Sequence, residues 1–131
     1  MDSNSGQPER ALKVAAGSAA QARWAMTAWA ALAGVALLSL APIPGNPQAP
    51  THTDKLVHVA LYATLMFCHA RAYPPARWLL VAAGLATYGA GLELLQQLVP
   101  PRGASLADAL ANCAGVSIML MALTRRRQPV E

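Results

Sequence analysis

The sequence predicts an all-α protein, a bundle of four transmembrane helices with both termini in the cytoplasm. The chain has 131 residues, of which 55% are hydrophobic and 12% are charged, whereas a soluble domain carries about a quarter charged residues. Proline-rich breaks separate apolar segments of near-spanning length. The length suits one domain, and we predict a polar cytoplasmic tail over 1–22, a four-helix membrane domain over 23–124 and a basic cytoplasmic tail over 125–131.

The first helix is predicted from Trp24 to Ala41, an uncharged segment of about eighteen residues, near the minimum that crosses a hydrocarbon core. The polar segment before it has no sustained apolar face and is predicted to be a disordered or loosely helical tail. Ala30 and Gly34 form a small-xxx-small pattern that favours close helix contact. A signal peptide cleaved near Ala49 is the alternative, but its charged lead is long and its cleavage site is poor.

The second helix is predicted over Asp54–Ala72, between a loop rich in proline at 42–50 and the prolines that follow Tyr73. The third helix is predicted from Trp78 to Val99, where Pro100 and Pro101 stop it. Its two glycines at positions 84 and 91, one heptad apart, predict a close-packed face.

The fourth helix is predicted to begin after Ser105 as its N-cap and to end near Leu123. A compact soluble bundle is the alternative to four spans. However, four apolar segments of near-spanning length are hard to bury in so short a chain.

Basic residues predict the orientation of the bundle. Eight of the ten Lys and Arg residues flank the predicted helices on one side. Because basic residues mark the cytoplasmic side, we expect both termini inside, in the inner membrane of a bacterium. The same placement argues against nucleic acid as a partner, since these residues do not interleave with aromatics on one face. The eight are Arg10, Lys13, Arg23, Arg71, Arg77, Arg125, Arg126 and Arg127.

The predicted topology gathers polar residues in one layer at the outer end. Three- and four-residue spacings place them on one stripe of each helix. Glu93 and Asn112 are expected to meet at similar depth, with Lys55 and Arg102 as partners of the buried carboxylate. Helix one is expected to contribute almost nothing. The stripes consist of Asp54, His58 and Tyr62; of Glu93, Gln96 and Gln97; and of Ser105, Asp108, Asn112 and Gly115.

These motifs resemble those of the VanZ-like membrane proteins, a family named for an association with teicoplanin resistance. The resemblance covers about Ala41 to Gly115, with one departure, Met119, where members often have a second glycine. It implies a VanZ-like domain in the cell envelope and assigns no biochemical activity. The motifs are Asp54-Lys-Leu-Val-His58 with Tyr62, Glu93-Leu-Leu-Gln96, and Pro101-Arg102 followed by Ser105, Asp108, Asn112 and Gly115.

The predicted outer site binds an anionic or amide-bearing group, such as a lipid headgroup or a lipid-linked cell-wall precursor. Lys55 and Arg102 would hold the anion, helped by the amino terminus of the fourth helix. Membrane lipids are therefore the expected partners, and homo-oligomer formation is left open. The predicted ligand-binding residues are Asp54, Lys55, His58, Tyr62, Glu93, Gln96, Arg102, Asp108 and Asn112.

Three alternatives remain beside binding. An intramembrane enzyme would use His58 or Glu93 as a general base, with Asp108 as a further catalytic candidate. No motif supports Ser105 as the nucleophile of a triad. A purely structural polar network would fix the bundle through hydrogen bonds between helices. A transporter is disfavoured because four spans are few for alternating access.

Neither a metal nor a cofactor is expected from sequence motifs. No zinc-binding motif is present, and a grouping of His58, Glu93 and Asp108 has no motif support. Cys68 and Cys113 are predicted at different depths in the bilayer, which argues against a disulfide.

Overall fold

The computed structural model describes residues 7–41, 52–100 and 103–127, and within these ranges the protein is all-helical without a strand. The all-α prediction is therefore confirmed. A short 3-10 turn at Pro75–Arg77 connects the second and third helices. The α-helices are α1 (Gln7–Leu40), α2 (His52–Ala72), α3 (Trp78–Gln96) and α4 (Leu106–Arg125).

Three helical segments are long and apolar enough to cross a membrane, namely Glu9–Leu40, Pro75–Gln96 and Leu106–Arg125. The helix outside this group, α2, carries Asp54, Lys55 and two buried or half-buried histidines. It is also the central helix, because it packs against α1, α3 and α4. A helix enclosed by its neighbours can keep polar side chains that lipid would not tolerate.

The first helix begins at Gln7, well before the predicted start at Trp24. It has 34 residues and a length of about 50 Å, whereas the hydrocarbon core is about 30 Å thick. Residues 9–20 are exposed, so this part projects beyond the bundle. Its alanines and long polar side chains favour a helix without needing an apolar face, which is why periodicity did not reveal it.

The core lies around α2 and is made of large apolar side chains from all four helices. Tyr62, Leu65 and Met66 on α2 are almost fully buried. They pack with Val35 from α1, and with Trp78, Leu85, Leu92 and Val116 from the last two helices.

Glycine packing differs from the prediction. A methyl group at Gly115 would meet the Val59 carbonyl oxygen and approach the Ala63 nitrogen to 3.0 Å, so α4 crosses the α2 backbone closely there. At Gly84 and Gly91 a methyl group would meet nothing within 4 Å. The close-packed face predicted at those two glycines is therefore wrong. Spacing puts residues on one face but does not say which face turns inward.

The glycine that packs closely on α3 is Gly89, where a methyl group would lie 2.9 Å from the Tyr62 ring. The small-residue pattern on α1 likewise makes no close contact within the described chain. Ala30 is exposed, and nothing lies within 4 Å of a methyl group built at Gly34.

Helix ends agree well with the prediction where local chemistry defines them. Trp78 begins α3 and Ser105 is the N-cap of α4, as predicted. The third helix ends at Gln96 and not at Val99, because the chain tightens into i to i+3 hydrogen bonds such as Val99 N to Gln96 O at 3.1 Å. Pro100 follows, and a residue before proline avoids the α conformation.

One end of the bundle, which we call the basic end, joins arginines to tryptophan rings. The Arg71 guanidinium lies 5.4 Å from the Trp24 ring centre, and that of Arg127 lies 4.6 Å from the Trp78 ring centre. Gln21 donates a 2.8 Å hydrogen bond to the carbonyl of Ala72. The middle of α1, the turn after α2 and the end of α4 therefore meet at this end.

Candidate functional site

The predicted polar residues converge at the opposite end of the bundle, where α1 and α3 end and α2 and α4 begin. Tyr62 lies one helical turn deeper than His58. Arg102 falls outside the described residues, and Gln97 is exposed. We call the following residues the polar cluster: Asp54, Lys55 and His58 on α2, Glu93 and Gln96 on α3, and Asp108 and Asn112 on α4.

His58 is the centre of the polar cluster and approaches polar residues of α3, of α4 and of its own helix. Its Nδ1 lies 3.0 Å from Asn112 Oδ1 and 3.9 Å from Glu93 Oε1, and its Nε2 lies 3.9 Å from Asp54 Oδ1. A carbonyl oxygen only accepts hydrogen bonds, so the tautomer that bonds to Asn112 Oδ1 carries its ring proton on Nδ1. The lone pair of Nε2 then faces the side on which Asp54 lies.

Lys55 was predicted to pair with Glu93, and this prediction is wrong. Lys55 Nζ lies 3.5 Å from Asp108 Oδ1, while Glu93 Oε2 accepts a 3.2 Å hydrogen bond from the Ser105 backbone nitrogen. Both carboxylates are buried, at 5% exposure for Glu93 and 7% for Asp108. The first turn of α4 favours the charge of Asp108 because helix amino termini carry a partial positive charge.

Ser105 joins the third helix to the fourth. Its side-chain oxygen accepts from the Asp108 nitrogen at 3.2 Å, as an N-cap does, and its own nitrogen donates to Glu93. The cap prediction is confirmed. The same residue therefore fixes both the start of α4 and the position of the Glu93 carboxylate.

Helix α1 contributes directly to the site, contrary to expectation. Gln96 Nε2 donates a 3.0 Å hydrogen bond to the Ser39 carbonyl. Ser39 lies in the last turn of α1, where carbonyls have no partner within the helix. This link uses a backbone group, so no side-chain pattern in the first helix could have predicted it.

A cavity of about 120 Å³ lies inside the polar cluster, and all four helices line it. Its apolar walls come from Val35, Leu38, Leu61 and Leu92. Leu38 and Leu61 are 69% and 38% exposed, so the cavity reaches the outer surface of the bundle between α1 and α2. Its polar lining consists of Ser39, His58, Tyr62, Glu93, Gln96 and Asn112.

Two buried donors of the cavity lack a hydrogen-bond partner in the described part of the chain. Asn112 is 1% exposed and Tyr62 is 2% exposed. Asn112 bonds to His58 through Oδ1, while its Nδ2 and the Tyr62 hydroxyl bond to no described residue. A buried polar group without a partner costs about 1–3 kcal/mol. Together with the Glu93 carboxylate, these groups offer donors and an acceptor to a small polar group.

The charges of the polar cluster favour a cation or a neutral group over an anion. It contains the carboxyl groups of Asp54, Glu93 and Asp108, and among its residues Lys55 is the one Lys or Arg. Three possible metal ligands also meet here. Asp54, His58 and Asp108 each offer one ligand atom, and these three atoms lie within 4.8 Å of one another, a grouping that can hold a metal ion. Sequence motifs missed this grouping because it combines two helices and matches no single linear spacing.

No family model, curated protein or solved structure matches the chain. The function of the site therefore has to be inferred from its own geometry.

Proposed function

We propose that this chain is a VanZ-like protein of the bacterial cytoplasmic membrane that binds the amide-bearing head of a lipid-linked envelope precursor. The observation that carries the proposal is the cavity with its buried, unpaired donors on Tyr62 and Asn112 beside the Glu93 carboxylate. An amide has one acceptor and one donor, and both can find a partner in this cavity.

The size of the cavity supports a small group. A cavity of about 150 Å³ holds benzene in another protein, so 120 Å³ admits roughly five heavy atoms. An acetamido group or one peptide amide has this size. A phosphate group would also fit by volume, but it would stand beside the carboxylates of the polar cluster, and like charges repel strongly where water is scarce.

The position of the cavity supports a lipid-linked ligand. Its rim residues Leu38 and Leu61 are exposed on helices that we place in the membrane. A ligand with a hydrocarbon chain can therefore leave that chain among lipids while its head enters from the side. A soluble ligand without a hydrocarbon chain would make no apolar contacts with this rim.

We further propose four spans with both termini in the cytoplasm. The fourth span is α2, whose 21 residues give about 31 Å, enough to cross a hydrocarbon core. Arg71 and Arg127 lie at the basic end together with Trp24 and Trp78. The arginines support a cytoplasmic position for this end, and the tryptophans support its position at a membrane interface. The polar cluster then faces outward.

The VanZ-like assignment is supported by the positions of the motif residues in the bundle. Asp54, His58, Glu93, Asp108 and Asn112 carry much of the resemblance, and all of them belong to the polar cluster. Residues distant in the sequence thus meet in one place.

Binding can be tested with the purified full chain in nanodiscs. The probes are two lipid-linked sugars that differ only in carrying an acetamido group (the acetylated lipid) or a hydroxyl group at one position, so that both are neutral there. We expect the acetylated lipid to bind about tenfold more tightly, since one lost hydrogen bond costs about 1 kcal/mol or more. Tyr62→Phe and Asn112→Leu should remove this preference, whereas Gln97→Leu, at an exposed position of the same end, should keep it. Equal binding of both lipids to the native chain would refute the proposal.

Topology can be tested by cysteine labelling in whole cells. In a chain with Cys68→Ser and Cys113→Ser, a cysteine replacing Gly103 should react with a membrane-impermeant maleimide. A cysteine replacing Glu9 should react only after the cells are permeabilised. The reverse pattern would contradict the proposed orientation.

An enzyme is the second candidate, and one observation favours it. The buried Glu93 lies 3.9 Å from His58 in a cavity of ligand size, which brings together two groups able to transfer a proton. Incubation of the same lipids with the native chain and with Glu93→Gln separates the two functions. Product formation that Glu93→Gln abolishes would establish catalysis, and intact lipid after prolonged incubation would leave binding as the function.

A further inference from the structure

We propose that Asp54, His58 and Asp108 bind a divalent transition-metal ion, with Zn²⁺ preferred, at the mouth of the polar cluster. This site adjoins the cavity and shares Asn112 with it as the partner of His58, but it does not depend on the lipid ligand proposed above. Three observations carry the inference: the positions of the ligand atoms, the orientation of the imidazole, and a lysine that already places positive charge at this point.

The three side chains lie close enough to share one ion. Their ligand atoms are within 4.8 Å of one another, and His58 Nε2 is 3.9 Å from Asp54 Oδ1. Bonds of about 2.0–2.2 Å to a tetrahedral zinc ion place ligand atoms roughly 3.4 Å apart. The side chains must therefore approach one another by up to about 1.4 Å. Asp54 can do so by rotation because its side chain is 47% exposed.

The imidazole of His58 is oriented as a metal ligand normally is. Histidine ligands almost always donate their second ring N–H to a carbonyl or carboxylate oxygen. Here Asn112 Oδ1, on a different helix and 1% exposed, lies 3.0 Å from Nδ1. This contact leaves the lone pair of Nε2 for an ion and holds the ring rigidly before the ion arrives.

Lys55 shows that the position attracts a cation. Its ammonium lies 3.5 Å from Asp108 Oδ1, with the lysine side chain 33% exposed. An ion on Asp108 and the ammonium of Lys55 would repel each other, so metal binding requires the lysine to turn away toward solvent. The ammonium and the ion thus compete for one carboxylate, which makes Lys55 a regulator of metal affinity.

The ligand set indicates the class of metal. One imidazole and two carboxylates suit Zn²⁺ or Mn²⁺ better than Mg²⁺ or Ca²⁺, which prefer oxygen ligands alone. Three protein ligands also leave at least one coordination position for water or another oxygen.

The test uses the full chain in detergent, treated with a chelator and then titrated calorimetrically with Zn²⁺ alone. We expect one Zn²⁺ per chain. His58→Gln and Asp108→Asn should each weaken binding at least tenfold, and Asn112→Leu should weaken it about 10–100-fold as the loss of an orienting partner does. Lys55→Gln should instead strengthen binding, because it removes the competing charge.

Controls exclude other zinc ligands. Glu9→Gln and His69→Gln change a carboxylate and an imidazole far from the site and should leave the affinity unchanged, as should Cys68→Ser. Absence of stoichiometric Zn²⁺ binding, or binding that survives both His58→Gln and Asp108→Asn in folded protein, would overturn the proposal. Lipid binding measured in EDTA is a separate readout, so failure of either proposal is distinguishable from failure of the other.

Discussion

Replacing Gly115 with alanine tests the contact that holds the polar cluster together. The added methyl group would overlap the Val59 carbonyl oxygen and lie 3.0 Å from the Ala63 nitrogen. Ordinary contact needs about 3.5 Å or more, so relieving the overlap with the Val59 carbonyl oxygen requires α4 to move away from α2 by roughly 1 Å or more. Overpacking of this kind costs about 1–3 kcal/mol, because backbone atoms cannot turn aside as a flexible side chain can.

A matched variant isolates this cost from helix propensity. Gly84→Ala adds the same methyl group on α3, where nothing lies within 4 Å. Both variants gain about 1 kcal/mol of helix propensity, so Gly115→Ala should be about 1–3 kcal/mol less stable than Gly84→Ala. Gly89→Ala should fall between them, because the Tyr62 side chain can yield.

The assay is reversible unfolding in mixed micelles, followed by circular dichroism as the fraction of denaturing detergent rises. Equal midpoints for Gly115→Ala and Gly84→Ala would refute the packing at this crossing. A shift in α4 would also separate His58 from Asn112, whose contact depends on the same pair of helices. Binding of zinc and of the acetylated lipid should therefore weaken in Gly115→Ala and stay unchanged in Gly84→Ala.

Three further perturbations address single contacts. Ser105→Ala removes the α4 cap and should destabilise the protein by about 1 kcal/mol, with Ser105→Asp restoring the loss in the same unfolding assay. Gln96→Leu removes the hydrogen bond to Ser39 and should cost about 0.5–1.5 kcal/mol; an unchanged midpoint would mean that α1 is not held by this link. Zinc at 100 times its dissociation constant should stabilise the native chain by about 2.7 kcal/mol, and a chelator should reverse this. A thermal shift that persists in His58→Gln would contradict the proposed ligand.

The sequence predicts those parts of the fold that depend on interactions between residues close together in the chain, such as helix caps and proline turns. Ser105 before an apolar run marks the start of a helix because its side chain satisfies a free backbone nitrogen. Likewise, the tryptophan after a proline turn begins α3. The polar stripes could be predicted because helical spacing places Asp108 and Asn112 on one face.

The rest depends on how the helices are rotated and paired. Gly84 and Gly89 have the same local chemistry, yet only Gly89 meets a neighbouring ring. Lys55 could have paired with either buried carboxylate, and the choice of Asp108 follows from the placement of α4 against α2. The hydrogen bond to Ser39 uses a main-chain carbonyl, which is the same in every residue and so leaves no trace in the sequence.

The central position of α2 has a consequence for the order in which the chain enters a bilayer. Lys55 and His58 are tolerated there because α3 and α4 supply their partners. During synthesis, α2 is made before either of those helices. Without these partners the polar residues of α2 are energetically unfavourable in lipid. We therefore expect α2 to remain at the translocation machinery until α4 has been synthesised. In a chain truncated after Ala72, which α1 already anchors, a photo-cross-linker in α2 should react with the translocation machinery, and in a chain continued through Arg125 this reaction should be lost.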